Sequence, residues 1–252
     1  MVIIIFLILI NIEIILIQFG IFLGCNIEIN ETGTMLRYRP GLLTGGSITH
    51  DCCLSRSIGW FLEGILPLAP FCKANLALDL SGITNDGMDI SVDTLNGVTL
   101  PFLRNFGIEG ASLKIKRRGS APKGGGNVQF FCPQIREIKP IFVVDAGLIK
   151  RIRGVGYCSR ISPTIISRVI DSARSVFNNL LPDVFIHTDH FKGADGGMSP
   201  GYSLFLVAET TTGALLSAER TAVPTSGGPA DLPEDIGRDG ALLLLEEIRR
   251  GI

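Results

Sequence analysis

No Cys-x-x-Cys pair occurs in this sequence. Its six cysteines, Cys25, Cys52, Cys53, Cys72, Cys132 and Cys158, have the spacing of neither a zinc site nor a disulfide framework, so a reducing compartment is the simpler home. Net charge is only −1, which excludes recognition of a polyanion through overall charge. Histidine is scarce, with only His50, His187 and His190, and this limits any imidazole chemistry. Lysine and arginine are absent before Arg37. Residues 2–24 carry one charge, Glu13, and are long and apolar enough for a membrane helix. Yet no basic residue orients such a helix, and no basic n-region marks a signal peptide. The Ile-rich, low-complexity composition favours translated A/T-rich sequence from a misplaced start. A membrane anchor is the second reading and a buried β-rich segment the third.

What is present is an ordinary core-forming chain. It has 252 residues, 46% of them hydrophobic, enough for one large domain or two small ones. Charge is unevenly spread. Between residues 112 and 160 eleven basic residues face two acidic ones, Glu137 and Asp145, a local positive field suited to phosphates. Period-two and period-3.6 patterns predict strands at 26–30, 35–39, 76–80, 113–117 and 127–132 and helices at 54–68 and 92–106. Pro40-Gly41 and Gly45-Gly46 punctuate a loop. The order is β-α-β-α-β-β, an α+β unit with helices on one sheet face. Further strands are predicted at 141–144, 152–160, 184–188, 202–210 and 214–218. A helix begins at Ser162-Pro163, a favoured N-cap and first helical residue, and ends before Pro182. Residues 223–231 form a Pro/Gly/Ser linker. Residues 236–250 form a Leu-rich helix whose apolar face needs something to pack on, so the carboxyl end reads as truncated.

The strongest chemical signal is Arg118-Gly119-Ser120-Ala121-Pro122-Lys123-Gly124-Gly125-Gly126. Consecutive glycines let backbone N–H groups converge on an anion, and Arg117, Arg118 and Lys123 add charge-assisted contacts. A plain hairpin turn with solvated charges explains the composition equally well. Lys150, Arg151 and Arg153 either extend a phosphate-tracking surface or protect a strand edge. Asn85, Asp86, Asp89 and Asp93 offer hard oxygen ligands, but Asp89 and Ser91 also suit N-capping of the helix at Val92, the favoured reading. His187 and His190 fall on opposite faces of a strand, which argues against a ligand pair. His50-Asp51-Cys52-Cys53 is read as packing and capping, with Asp51 near the first helix amino end.

As a whole string, RGSAPKGGGNV resembles the R-G-x-x-P-x-G-G-G-x-V signature of the RNA 3′-terminal phosphate cyclase family. LRYRPGLLTGG, GITNDGMDISVD, KRIRGVGY, LPDVFIHTDH, SPGYSLFLVAETTTG and LLLLEEIRRG resemble the family in the same order, so the likeness covers roughly residues 25–252. It implies repeated β-α-β-α-β-β units with a smaller α/β insert: main domain at 25–140, insert at 141–223, and a return to the main domain at 224–252. The family has two branches. One uses ATP and a histidine adenylate to cyclise RNA 3′-phosphates. The cyclase-like branch acts without that activity on the precursor of small-subunit (18S) ribosomal RNA, in the nucleolus, alongside a large GTPase of the small-subunit processome. The segment His50 to Ser57 is similar to the cyclase-like branch, and the cyclases' catalytic histidine lies beyond where this chain stops. The expectation is therefore a nuclear, nucleolar ribosome-assembly factor that binds precursor ribosomal RNA, with no catalytic residue, metal, cofactor or membrane partner. Arg37, Arg39, Arg118, Lys123, Gly124, Gly125, Gly126, Lys150, Arg151 and Arg153 are its expected phosphate contacts. An ATP-dependent cyclase is the alternative.

Overall fold

The structure is a computed structural model describing residues 26–251 apart from 31, 33, 40, 179 and 223–230. The apolar segment at 2–24 and nearly all of the linker expected at 223–231 lie outside the described residues. Among the described residues no helix is long and apolar enough to cross a membrane.

The first two strands, β1 (Asn26–Ile29) and β2 (Leu36–Arg39), pair antiparallel with each other as a separate two-stranded sheet. The first four-stranded sheet begins at β3 (Gly46–Asp51), and the chain then continues through α1 (Ile58–Ile65) and β4 (Leu76–Gly82). A composite helix follows: α2 (Val92–Thr94), a π-helical turn (Leu95–Thr99) and α3 (Leu100–Asn105). Then come β5 (Ser112–Arg117) and β6 (Gly126–Cys132), giving the strand order β3-β4-β6-β5. β3 and β4 are parallel; the other two pairings are antiparallel. The expected β-α-β-α-β-β order is present, but its first strand is β3 rather than 35–39. The glycines read as loop punctuation are the entrance to that strand. Gly45 sits at φ +75, where a Cβ would lie 2.2 Å from the Ala74 carbonyl oxygen, and Gly46 N–H donates to Asn75 O at 2.9 Å.

Helix α1 is shorter than the apolar pattern at 54–68. Ser57 is its N-cap, and the Ser57 N–H is met by Asp89 Oδ2 at 2.9 Å. Asp51, expected at this helix end, is instead the exposed last residue of β3. Asp89 also takes the Arg56 guanidinium, so it is neither a metal ligand nor the cap of the next helix. Ser91 caps that helix as expected, accepting from Thr94 N–H at 3.1 Å. Ile58, Phe61 and Leu62 from α1 pack with Leu76, Leu78 and Leu80 of β4 and Val128 and Phe130 of β6. Each such side chain contributes about 1.5–3 kcal/mol of burial.

Residues 141–148 form no strand, contrary to the pattern at 141–144. Phe142 is 89% exposed and Val144 94%. An apolar run becomes a strand only when a partner strand meets its backbone groups, and no described strand does. The second unit starts at β7 (Ile149–Ser159), followed by α4 (Pro163–Phe177), β8 (Val184–Phe191), β9 (Gly201–Thr210), β10 (Leu215–Thr221) and α5 (Pro233–Arg250). Its sheet order is β10-β9-β7-β8, with β7 and β8 parallel. Ser162 caps α4, with Pro163 at its start, as the sequence indicates. Ile166, Val169, Ile170, Ala173 and Phe177 of α4 share a core with Leu204, Leu206 and Ala208. Whereas the sequence reading places 224–252 with the first unit, the described helix α5 lies on this same core. Ile236, Ala241 and Leu244 of α5 are buried in it, and the Arg168 guanidinium on α4 bonds Glu234 on α5 at 2.6 and 2.9 Å.

The two sheets meet along the composite helix. Gly97, in the π-helical turn, lies against the Phe205 ring of β9, where a Cβ would be 2.6 Å from the ring edge. Glu219 of β10 accepts from Ser91 N–H at 3.2 Å and from Thr94 Oγ1 at 2.7 Å.

Candidate nucleic-acid interface

The glycine-rich loop joins β5 to β6 at this meeting place. On β5, Leu113 and Ile115 point into the core, and strict alternation would send Arg117 after them. A register shift between Ile115 and Arg117 against β6 intervenes. Such a bulge re-aims the side chains that follow it. Arg117 is therefore exposed and Arg118 is buried.

Arg118 is 1% exposed. Its guanidinium bonds both Asp93 oxygens, at 2.6 and 2.7 Å, and Asn85 Oδ1 at 3.2 Å, all from the first unit. It also bonds Asp189 Oδ2 on β8, at 2.9 and 3.2 Å, and stacks 4.6 Å over the Tyr157 ring on β7. Burial pulls its pKa down, but Asp93 and Asp189 outweigh that and leave it raised. The side chain is a permanent cation with every face occupied, joining the two units. Its expected role as an anion contact is therefore corrected: a phosphate has no access to it.

The glycines serve the same joint. Gly119 N–H donates to Thr84 Oγ1, and Gly119 O accepts from Thr84 N–H at 2.7 Å. A Cβ on Gly119 would lie 2.2 Å from Gly126 N. Gly124, at φ +60, donates its N–H to Ser120 O and accepts from Met198 N–H, both at 2.9 Å. That N–H is spent inside the loop, so a fully open nest of three glycine N–H groups does not form. Lys123 N–H donates to Ser199 Oγ at 3.1 Å, which leaves the exposed lysine side chain to face outward.

Beside the loop lies a cleft of about 680 Å³, lined by Arg117, Lys123, Gly125 and Gly126 on one side and His50, Asp51 and Cys52 on the other. It sits at the carboxyl ends of the parallel strands β3 and β4, a place where open α/β sheets take ligands. Among the described residues neither Arg117 nor Lys123 has a carboxylate partner. The His50 Nε2 atom is buried without a hydrogen-bond partner among the described residues, and burial lowers the His50 pKa against the pull of Asp51. Burial pushes the Cys52 thiol up to about 12, so it is no thiolate nucleophile. The cleft thus presents two cations, Arg117 and Lys123, suited to holding phosphate, with one carboxylate, Asp51, opposing them. Arg117 and Asp51 are the residues that sequence reasoning undervalued. Only the bulge distinguishes Arg117 from its neighbour, and it has no signature in composition.

The other expected contacts are dispersed. Arg37 and Arg39 are exposed on β2, where Arg37 faces Glu28 at 3.5 Å, and neither lines the cleft. Arg151 pairs with Glu209 and Arg153 with Asp183, while Lys150 is exposed. At about 3.3 Å of rise per residue, Arg153 and Arg151 stand roughly 13 and 20 Å along β7 from Tyr157, so this cluster does not merge with the loop. His187 and His190 fall on opposite faces of β8, as expected. No cluster of three or more His, Cys, Asp or Glu side chains able to hold a metal occurs among the described residues.

Comparison with known proteins bears on this arrangement. The family model described as RNA 3′-terminal phosphate cyclase matches residues 22–223. A Homo sapiens protein named RNA 3′-terminal phosphate cyclase-like protein is 56% identical over 230 residues, covering 90% of this chain and 62% of that one. A Dictyostelium discoideum protein named as a probable RNA 3′-terminal phosphate cyclase-like protein is 48% identical over 240 residues, covering 90% and 65%. The Schizosaccharomyces pombe rRNA processing protein rcl1 is 45% identical over 231 residues, covering 90% and 62%. The chain thus spans somewhat under two thirds of the length of these relatives. With the match running through both units and the loop that joins them, the chain belongs to the RNA 3′-terminal phosphate cyclase family, and its Homo sapiens and Dictyostelium discoideum relatives bear the cyclase-like name.

Proposed function

We propose that this chain is a non-catalytic RNA-binding factor in the processing of 18S precursor ribosomal RNA and in small-subunit assembly. The observation that carries the proposal is the pair Arg117 and Lys123, unneutralised at the mouth of a glycine-lined cleft. Two such cations hold consecutive phosphates without reading sequence. The relative named for rRNA processing supports the choice of RNA. The raised Cys52 thiol supports a holding role over thiolate chemistry at the cleft. Work in the nucleolus beside a large GTPase of the small-subunit processome completes the proposal.

The test is filter binding of a precursor ribosomal RNA fragment across a salt series. In R117A/K123A the slope of log affinity against log salt should fall by about 1.5, because two phosphate contacts are lost. An unchanged slope would reject the cleft as the phosphate site. Incubation with radiolabelled ATP separates the rival: a covalent adenylate on the protein would replace this reading with ATP-dependent cyclisation.

A further inference from the structure

The second sheet has one face under α4 and α5 and another turned toward the first unit. Ile152, Ile186, Leu204 and Leu206 point to the helices. Strand alternation therefore sends Arg151, Arg153, Val155 and Tyr157 of β7, and Phe185, His187 and Asp189 of β8, to the other face. Most of that face is covered. Arg118 lies over Tyr157 and Asp189, and Gly97 lies over Phe205. Among the described residues one corner stays open. There Arg153 is the cross-strand partner of Phe185, and Val155 of His187.

The chemistry of this corner is unusual for a solvated sheet. Phe185 is 57% exposed although it lies in a regular strand. His187 is exposed one row along. The Arg153 guanidinium is gripped along its edge by Asp183, at 2.7 and 3.1 Å, and by the Ile152 carbonyl oxygen at 2.9 Å. Edge-on hydrogen bonding fixes the plane and leaves its flat faces free for stacking. Lys150, Arg151 and Arg153 stand against Glu209 and Asp183, which leaves a net positive charge on the rim. A phenyl ring, an imidazole and a held guanidinium plane on a sheet surface are what unstacked bases bind. With two of its three cations paired to carboxylates, the rim adds little phosphate attraction.

We infer that this corner, centred on Phe185, Arg153 and His187, is a base-stacking platform for single-stranded RNA, separate from the phosphate-holding cleft. It rests on the reading that the chain binds RNA. The two surfaces should leave different marks, because stacking is insensitive to salt and phosphate contact is not.

The experiment measures binding of the full chain to a radiolabelled single-stranded RNA and to a blunt RNA duplex across a salt series. F185A should weaken single-strand binding about tenfold at every salt concentration, with the slope unchanged and duplex binding unaffected. F185W should keep the affinity, which answers any objection that F185A simply misfolds. R117A/K123A serves as the control that changes the slope. Wild-type affinity in both F185A and H187A, with the control still changing the slope, would overturn the platform and leave the cleft standing. No RNA binding by the unmodified chain would overturn both. Wild-type RNA affinity in F185A, with self-association lost in sedimentation, would assign the corner to protein contact and also overturn the inference.

Discussion

Each unit has a pair of parallel strands, and their carboxyl ends meet different fates. Those of β3 and β4 open onto the cleft with Arg117 and Lys123 at its mouth. Those of β7 and β8 are closed: Arg118 covers Tyr157 and Asp189, Ser120 Oγ lies 3.1 Å from the Tyr157 hydroxyl, and Ser159 Oγ donates to Ser199 O at 3.3 Å. Adjacent arginines serve both ends. The bulge in β5 sends one cation to solvent and the next into a buried joint, so the same residue type faces a cleft in one place and is a structural strut in the other.

The largest expected effect breaks the closed end. Arg118→Ala leaves the Asp93 and Asp189 carboxylates at the joint without their cation, and removing one partner of a buried ion pair costs about 3–5 kcal/mol. Denaturant unfolding checks this, and a loss below about 1 kcal/mol would show that the joint is not held this way. A smaller effect concerns Tyr157, whose pKa burial raises from 10.0 to about 12, against the Ser120 hydrogen bond and Arg118. Because the folded pKa is the higher one, stability is intact below pH 10. It falls as pH rises from 10 to about 12, when the unfolded state releases the proton first. By linkage this component amounts to about 2–3 kcal/mol. Tyr157→Phe should flatten that part of the alkaline stability profile, and an unchanged profile would sink the assignment. The smallest effect sharpens the open end. Arg117→Ala with Lys123→Ala should change unfolding stability by no more than about 0.5 kcal/mol, in contrast to its effect on RNA binding. A larger loss would mean that these side chains also support the fold.

Local pattern carried much of the fold. β4 and β6 were legible because Leu76, Leu78 and Leu80, and Val128 and Phe130, alternate into one core. Helix α4 was legible because its apolar residues recur at helical spacing after a Ser-Pro start. What pattern could not supply was partnership. Residues 141–144 have strand composition without a strand to pair with, and β3 has a weak apolar pattern but a neighbour in β4. Residues 236–250 showed an apolar face without showing which sheet it would meet. At the site, the loop was visible as a string, whereas the division of labour between Arg117 and Arg118 depended on one unpaired residue in β5.

The π-helical turn at Leu95–Thr99 carries a mechanical consequence. Its widened backbone brings Gly97 against the edge of the Phe205 ring, so the two sheets meet there at a point with no side chain. Even a single methyl group there would act as a wedge. The Phe205 ring would have to shift to admit it, loosening the contact between the two sheets.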